Sequence, residues 1–253
     1  MLNRYLPSVV LLLVLIIAWE VTVRFTGISA LVIPAPIAVL TVLWDGLIGG
    51  FLWQHIWVTG AATVMGFLLG CSMGFICGVI LAEVEPLRRL FWPYVLAMQV
   101  VPKLALAPLF IIWFGFGMQP TVVITALICF FPLLENTMTG LKAATPEKQE
   151  LFRMLGSRRW QTLVQLKIPS GLPVIMAGVR VAIVLALVGA VVGEFVAGSE
   201  GLGASIIAAQ GMMDSNLMFA LLIVITLMGL LFYQLTLLFE RWLLCRWLKG
   251  KNT

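Results

Sequence analysis

Apolar side chains fill six long stretches of this chain, and most charges collect between them. The stretches are 8–23, 56–82, 90–114, 120–141, 173–196 and 215–239. A helix needs roughly 20 residues to cross the hydrocarbon core of a bilayer. Backbone polar groups find no water there, so each spanning segment must satisfy them within a helix or a closed barrel. The short alternating strands of a barrel are missing from the pattern. The pattern predicts an all-α integral membrane protein, with six transmembrane helices in a single domain over 1–253. Pro93, Pro102, Lys103 and Pro108 interrupt the third stretch, and 115–120 supplies a tight turn into the fourth. Between the first and second, Pro34 and Pro36 precede a helix-like 37–47, with Trp44 and Trp53 suited to an interface. Between the fifth and sixth, Gly198, Gly201, Gly203 and Gly211 surround a small apolar patch, which reads as a short re-entrant or surface helix.

Charge orients this arrangement. With six crossings and the N-terminus inside, the inner segments are 1–7, 83–89, 142–172 and 240–253. They hold Arg4, Arg88, Arg89, Lys142, Lys148, Arg153, Arg158, Arg159, Lys167, Arg241, Arg246, Lys249 and Lys251, which is 13 of the 16 basic residues. Basic residues gather in cytoplasmic loops, so both termini of this multi-pass protein are expected in the cytoplasm. The first stretch reads as a retained helix rather than a cleaved leader. Composition agrees: 62% of residues are hydrophobic and 11% charged, too few polar side chains to coat a water-facing enzyme. The net charge of +5 then belongs to topology and not to nucleic acid. Cys71, Cys77, Cys129 and Cys245 form no CxxC pair and read as small apolar fillers.

Two patterns go beyond spanning. Gly66, Gly70, Gly74 and Gly78 recur every four residues and draw a stripe without side chains along one helix. Another backbone can approach closely there, either inside one subunit or at a dimer or gate contact. The inner segment 142–172 has structure of its own. Thr145 and Pro146 fit the N-cap and N1 of a helix with Glu147 in its first turn. Leu151, Met154 and Leu155 make its apolar stripe, and Gly156 stands where a left-handed glycine ends a helix. Ser157 is expected to cap a second helix carrying Trp160, Leu163 and Val164, and Pro169 to stop it. Such an exposed amphipathic pair, rimmed by Arg153, Arg158 and Arg159, needs either the membrane surface or a soluble protein as partner.

The spacing of this loop resembles the signature of permease subunits of ATP-binding-cassette (ABC) importers. That signature runs Glu-Ala-Ala, three residues, Gly, nine residues, Ile-x-Leu-Pro. Here it reads Glu150-Leu151-Phe152, three residues, Gly156, nine residues, Leu166-Lys167-Ile168-Pro169. Further along, Pro102-Lys103-Leu104-Ala105-Leu106-Ala107-Pro108-Leu109 with Trp113-Phe114-Gly115, then Gly193-Glu194-Phe195 and Gly201-Leu202-Gly203, are similar to the nitrate, sulfonate, taurine and thiamine-precursor class. The resemblance implies a type I importer permease fold. It implies a homodimer, two ABC ATPase subunits on the cytoplasmic face and an external solute-binding protein. It assigns ATPase coupling to Glu150, Leu151, Met154, Gly156, Trp160, Leu166 and Pro169.

The chain is not expected to be an enzyme. A P-loop needs Gly, four residues, then Gly-Lys-Ser/Thr. The one Gly-Lys is Gly250-Lys251, followed by Asn252, with Cys245 in place of the first Gly. ATP hydrolysis is therefore expected in a separate subunit, and no cofactor or metal is called for. The lone histidine, His55, reads as an interface or capping residue. Pro102, Lys103, Pro108, Glu135, Arg180 and Glu194 are the candidates for a translocation path, since intramembrane charges and broken helices mark such paths. Lys103 is equally read as snorkelling or an ion pair, and Glu194 as a solvated helix end. Glu135 lies seven residues before Lys142 and Arg180 seven after Pro173, each roughly 10 Å inside the inner boundary at the helical rise. They are expected to pair. The alternative class is an ion-coupled secondary transporter with Glu135, Arg180 and Lys103 as its relay.

Overall fold

The computed structural model describes the chain except residues 1, 28, 30 and 250–253; side chains at 2–6, 8, 9, 12, 26 and 246–249 are also outside the described set. Arg4, Arg246, Lys249, Lys251 and the Gly250-Lys251-Asn252 reading thus fall outside it.

The described chain is helical, with no strand. Its order is α1 (Leu2–Thr26), α2 (Pro36–Ile48), α3 (Phe51–Glu83), α4 (Glu85–Val100), a 3₁₀ turn (Lys103–Leu106), α5 (Ala107–Phe114), α6 (Met118–Leu141), α7 (Pro146–Met154), α8 (Arg159–Thr162), a π turn (Leu163–Lys167), α9 (Ile168–Ala197), α10 (Leu202–Gly211) and α11 (Ser215–Lys249). Among the described residues, α3, α6, the continuous run Arg159–Ala197 and Ser215–Cys245 are each long and apolar enough to span a membrane. The first apolar stretch lies within α1, and α2 and α10 match the two short outer helices.

The third stretch is an elbow. Glu85–Val100 and Lys103–Phe114 pass the same length and apolarity test only together, with a bend of 86° between them. Val101 takes an extended ψ of 126°, because the proline after it drives it out of the helical region, and Pro102 itself is extended at ψ 98°. Pro93 sits inside α4 without ending it.

α3, α6 and α9 form the centre, and the glycine stripe explains their closeness. A Cβ on Gly70 would lie 2.2 Å from the Ala126 carbonyl oxygen, and one on Gly74 2.5 Å from that of Phe130. Gly66 and Gly78 face Thr125 and Thr137 in the same way. All four therefore pack α3 on α6 within one subunit. α6 meets α9 through Gly140 and Gly171, where a Cβ on Gly171 would stand 2.3 Å from the Gly140 carbonyl oxygen. Helices in lipid gain nothing from hiding apolar surface from water, so such close van der Waals contact is what joins them.

One expectation fails at Pro169. It does not stop a helix, since 159–197 runs on without interruption. The π turn just ahead widens the ladder, and the helix carries on through Pro169 with that one N–H missing.

Candidate functional site

The segment 142–172 folds as helix, glycine, helix. Thr145 has the extended backbone of an N-cap, with Pro146 after it, although its hydroxyl makes no capping bond. Gly156 takes φ +71°. Its N–H donates to the Arg153 carbonyl at 3.0 Å, and the Ser157 N–H donates to that of Phe152 at 3.0 Å, the pair of bonds of a Schellman end. Ser157 thus closes the first helix, and the cap of the second is Arg158, whose N–H donates to Gln161 Oε1 at 2.7 Å.

This turn leaves an apolar face in the open. Leu151, Met154, Leu155 and Trp160 are 54%, 80%, 72% and 71% exposed. Glu150 sits beside them in an exposed ion pair with Arg153 at 3.2 Å. Leu163 and Leu166 turn the other way and are buried. Leu166 is therefore an anchor of the segment and not part of its exposed face. Lys167 Nζ meets Glu83 Oε1, the last residue of α3, at 2.6 Å.

The predicted translocation residues are dispersed. Lys103 Nζ donates to the Gln99 carbonyl at 3.0 Å and stands 4.8 Å over the Phe131 ring, whose negative face attracts the ammonium. Pro102 and Pro108 shape the elbow around it. Glu135 is exposed. Arg180 does not pair with it; its Nε lies 3.2 Å from Glu240 Oε2 on α11, close but without hydrogen-bond alignment. The expected pair of Arg180 with Glu135 is therefore not formed: α11 runs past the expected boundary and brings Glu240 to Arg180 instead. Glu135, Arg180 and Lys103 thus do not assemble as a relay.

Near the C-terminal end of α9, Glu194 is 2% exposed, so it is not a solvated helix end. Its Oε2 accepts from the Thr59 hydroxyl at 3.0 Å and from the Gly203 N–H at 2.7 Å. Thr59 Oγ1 in turn accepts from the Leu202 N–H at 2.8 Å, and His55 Nδ1 accepts from the Gly201 N–H at 3.2 Å. Side chains of α3 and α9 therefore take the first free N–H groups of α10, whose positive end favours the carboxylate. Gly201 and Gly203 are required there: a Cβ would lie 2.4 Å from the Glu194 carboxyl carbon in one case and 2.4 Å from the Val191 carbonyl oxygen in the other. The sequence reading has His55 as a capping residue and misses Thr59. The available signal was a threonine four residues after His55, and so on the same face of a mostly apolar helix.

Residues 66–244 match the model of the family described as binding-protein-dependent transport system inner membrane component. The chain belongs to this family. It is 41% identical over 94% of its length, and 88% of the other chain, to the riboflavin transport system permease protein RibX of Chloroflexus aurantiacus. It is 33% identical to the formylaminopyrimidine transport permease protein ThiX of Halalkalibacterium halodurans, over 87% of each chain. A permease chain in an inward-facing structure of the MetNI methionine ABC transporter superposes with TM-score 0.69 at 18% identity, over 77% of this chain and 96% of that one. The expected type I importer fold and the expected class of importer permeases both hold. The permease is an inner-membrane, multi-pass component of an ABC importer for a small solute, and its family works with ATPase and binding-protein partners.

Proposed function

We propose that this permease works as a homodimer with both termini in the cytoplasm, each copy seated on an ATPase subunit through 142–172. ATP is hydrolysed in that separate subunit. An external binding protein delivers the solute, and the spans α3, α6 and α9 with the α4–α5 elbow alternate its access. The observation that carries this reading is the exposed apolar face of Leu151, Met154, Leu155 and Trp160, held on a glycine-closed helix pair. Apolar side chains so exposed and so rigidly presented need a protein groove to cover them. Glu150 and its rim then set register, Gly156 sets the angle, and Leu166 and Pro169 root the segment in α9. Riboflavin is the first solute to test, given the 41% identity to a permease of a riboflavin system.

Met154→Asp places a charge at the centre of that face and touches nothing inside the subunit. Gly156→Val forces a β-branched residue into φ +71°, a strain on the order of 1–2 kcal/mol, with open space around it. Both variants are expected to insert and accumulate normally but to lose the co-purifying ATPase subunit. Retention of the ATPase by both refutes docking at 142–172.

A further inference from the structure

We propose that Glu83 and Lys167 are positioning residues that strap the coupling segment to α3, so that its displacement reaches α3 as well as α9. This rests on ATPase docking at 142–172. The root of that segment is a soft joint. Between Leu163 and Lys167 the helix carries a π turn, in which each bond closes a wider and rarer ring, and Pro169 then supplies no N–H. A helix running through such a turn transmits a push poorly on its own. Above the joint the body is stiff: Gly70 and Gly74 lock α3 on α6, and Gly171 locks α9 on Gly140. Lys167 closes the π turn, and its ammonium reaches across 84 residues of sequence to the last residue of α3 at 2.6 Å. Both side chains are about four-fifths withdrawn from solvent, at 19% and 22% exposure. The strap therefore crosses the joint at its weakest point. The far end of the same body carries Thr59 and Glu194, which hold α10. Movement imposed on 142–172 thus has a continuous polar and packed route to the outer face.

The test uses the full importer in liposomes, with ATPase activity read with and without solute-loaded binding protein. Glu83→Lys and Lys167→Glu are each expected to keep normal yield and a full complement of ATPase subunits. Each should lower the stimulated-to-basal ratio on the order of threefold, the scale of a partly exposed ion pair. Lys167→Arg, and the swap of Glu83→Lys with Lys167→Glu, should restore most of the ratio. Unchanged ratios in the single variants overturn the strap, as does a swap no better than either single. Loss of bound ATPase in these variants, or loss of yield in the neutral Lys167→Gln, assigns the pair to folding and also overturns it. Should the reversals fail to accumulate, Lys167→Gln removes the pair without juxtaposing like charges and is held to the same outcomes. Failure of the docking reading shows separately, as ATPase retained by both Met154→Asp and Gly156→Val.

Discussion

A carboxylate withdrawn from water between membrane helices is costly unless donors meet it. Glu194 is met by a hydroxyl and by the backbone at the start of α10, and both bonds fall on one oxygen, Oε2. What the site requires is therefore an acceptor at that point. Glu194→Gln keeps a carbonyl oxygen there, whereas Glu194→Ala leaves the Gly203 N–H buried without a partner. An unmet buried donor costs about 1–3 kcal/mol. The alanine variant should therefore lower the melting temperature of the detergent-purified permease clearly more than the glutamine variant. Equal losses would mean that charge, not acceptor geometry, holds α10. This knot was only partly legible. Glu194 and Gly201-Leu202-Gly203 stand out in the sequence, but Thr59 lies 135 residues from Glu194 and nothing local announces their contact.

Glycines of one helix are not equivalent, and α3 shows the difference. Gly70 faces the α6 backbone so closely that a Cβ would stand 2.2 Å from a carbonyl oxygen, while Gly60, ten residues earlier, has nothing within 4 Å. Overpacking a tight contact costs about 1–3 kcal/mol, and backbone cannot yield as a side chain does. Gly60→Ala meets open space and relieves the backbone entropy of a helical glycine, worth roughly 0.5–1 kcal/mol in soluble helices. Gly70→Ala should therefore depress folded yield and thermal stability, and Gly60→Ala should leave them level or raised. Comparable losses at both positions would reject the contact of α3 with α6. The stripe was visible as a period of four, but its partner was not, because periodicity reports a face and not what covers it. The same limit appears at Pro169. A proline after a periodic run reads as a stop, yet the preceding π turn lets the helix run on, and such turns leave no sequence period. The elbow, by contrast, was written in Pro102, whose ring acts directly on the residue before it, although Pro93, read as an interruption in the same way, stays inside α4.

Across the whole molecule, α11 touches the centre through α9 and carries most of its apolar surface outward, so its polar contact with α9 has unusual weight. Arg180 on α9 and Glu240 on α11 stand 3.2 Å apart, both largely withdrawn from solvent. Removing one member of a withdrawn pair strands the other charge, and the loss exceeds that of removing both. Arg180→Gln and Glu240→Gln should each reduce membrane accumulation, and the double variant should accumulate better than either. Glu135→Gln should be nearly silent alone, because Glu135 is exposed, and should add nothing beyond a simple sum to Arg180→Gln. Depth arithmetic along the sequence cannot choose between these acids: it places Glu135 level with Arg180 and leaves Glu240 in a terminal segment, whereas the structure continues α11 through that boundary. The cycle decides between the two partners. Coupling of Arg180 to Glu135 with additivity toward Glu240 would return the pairing to α6 and remove the tie between α9 and α11.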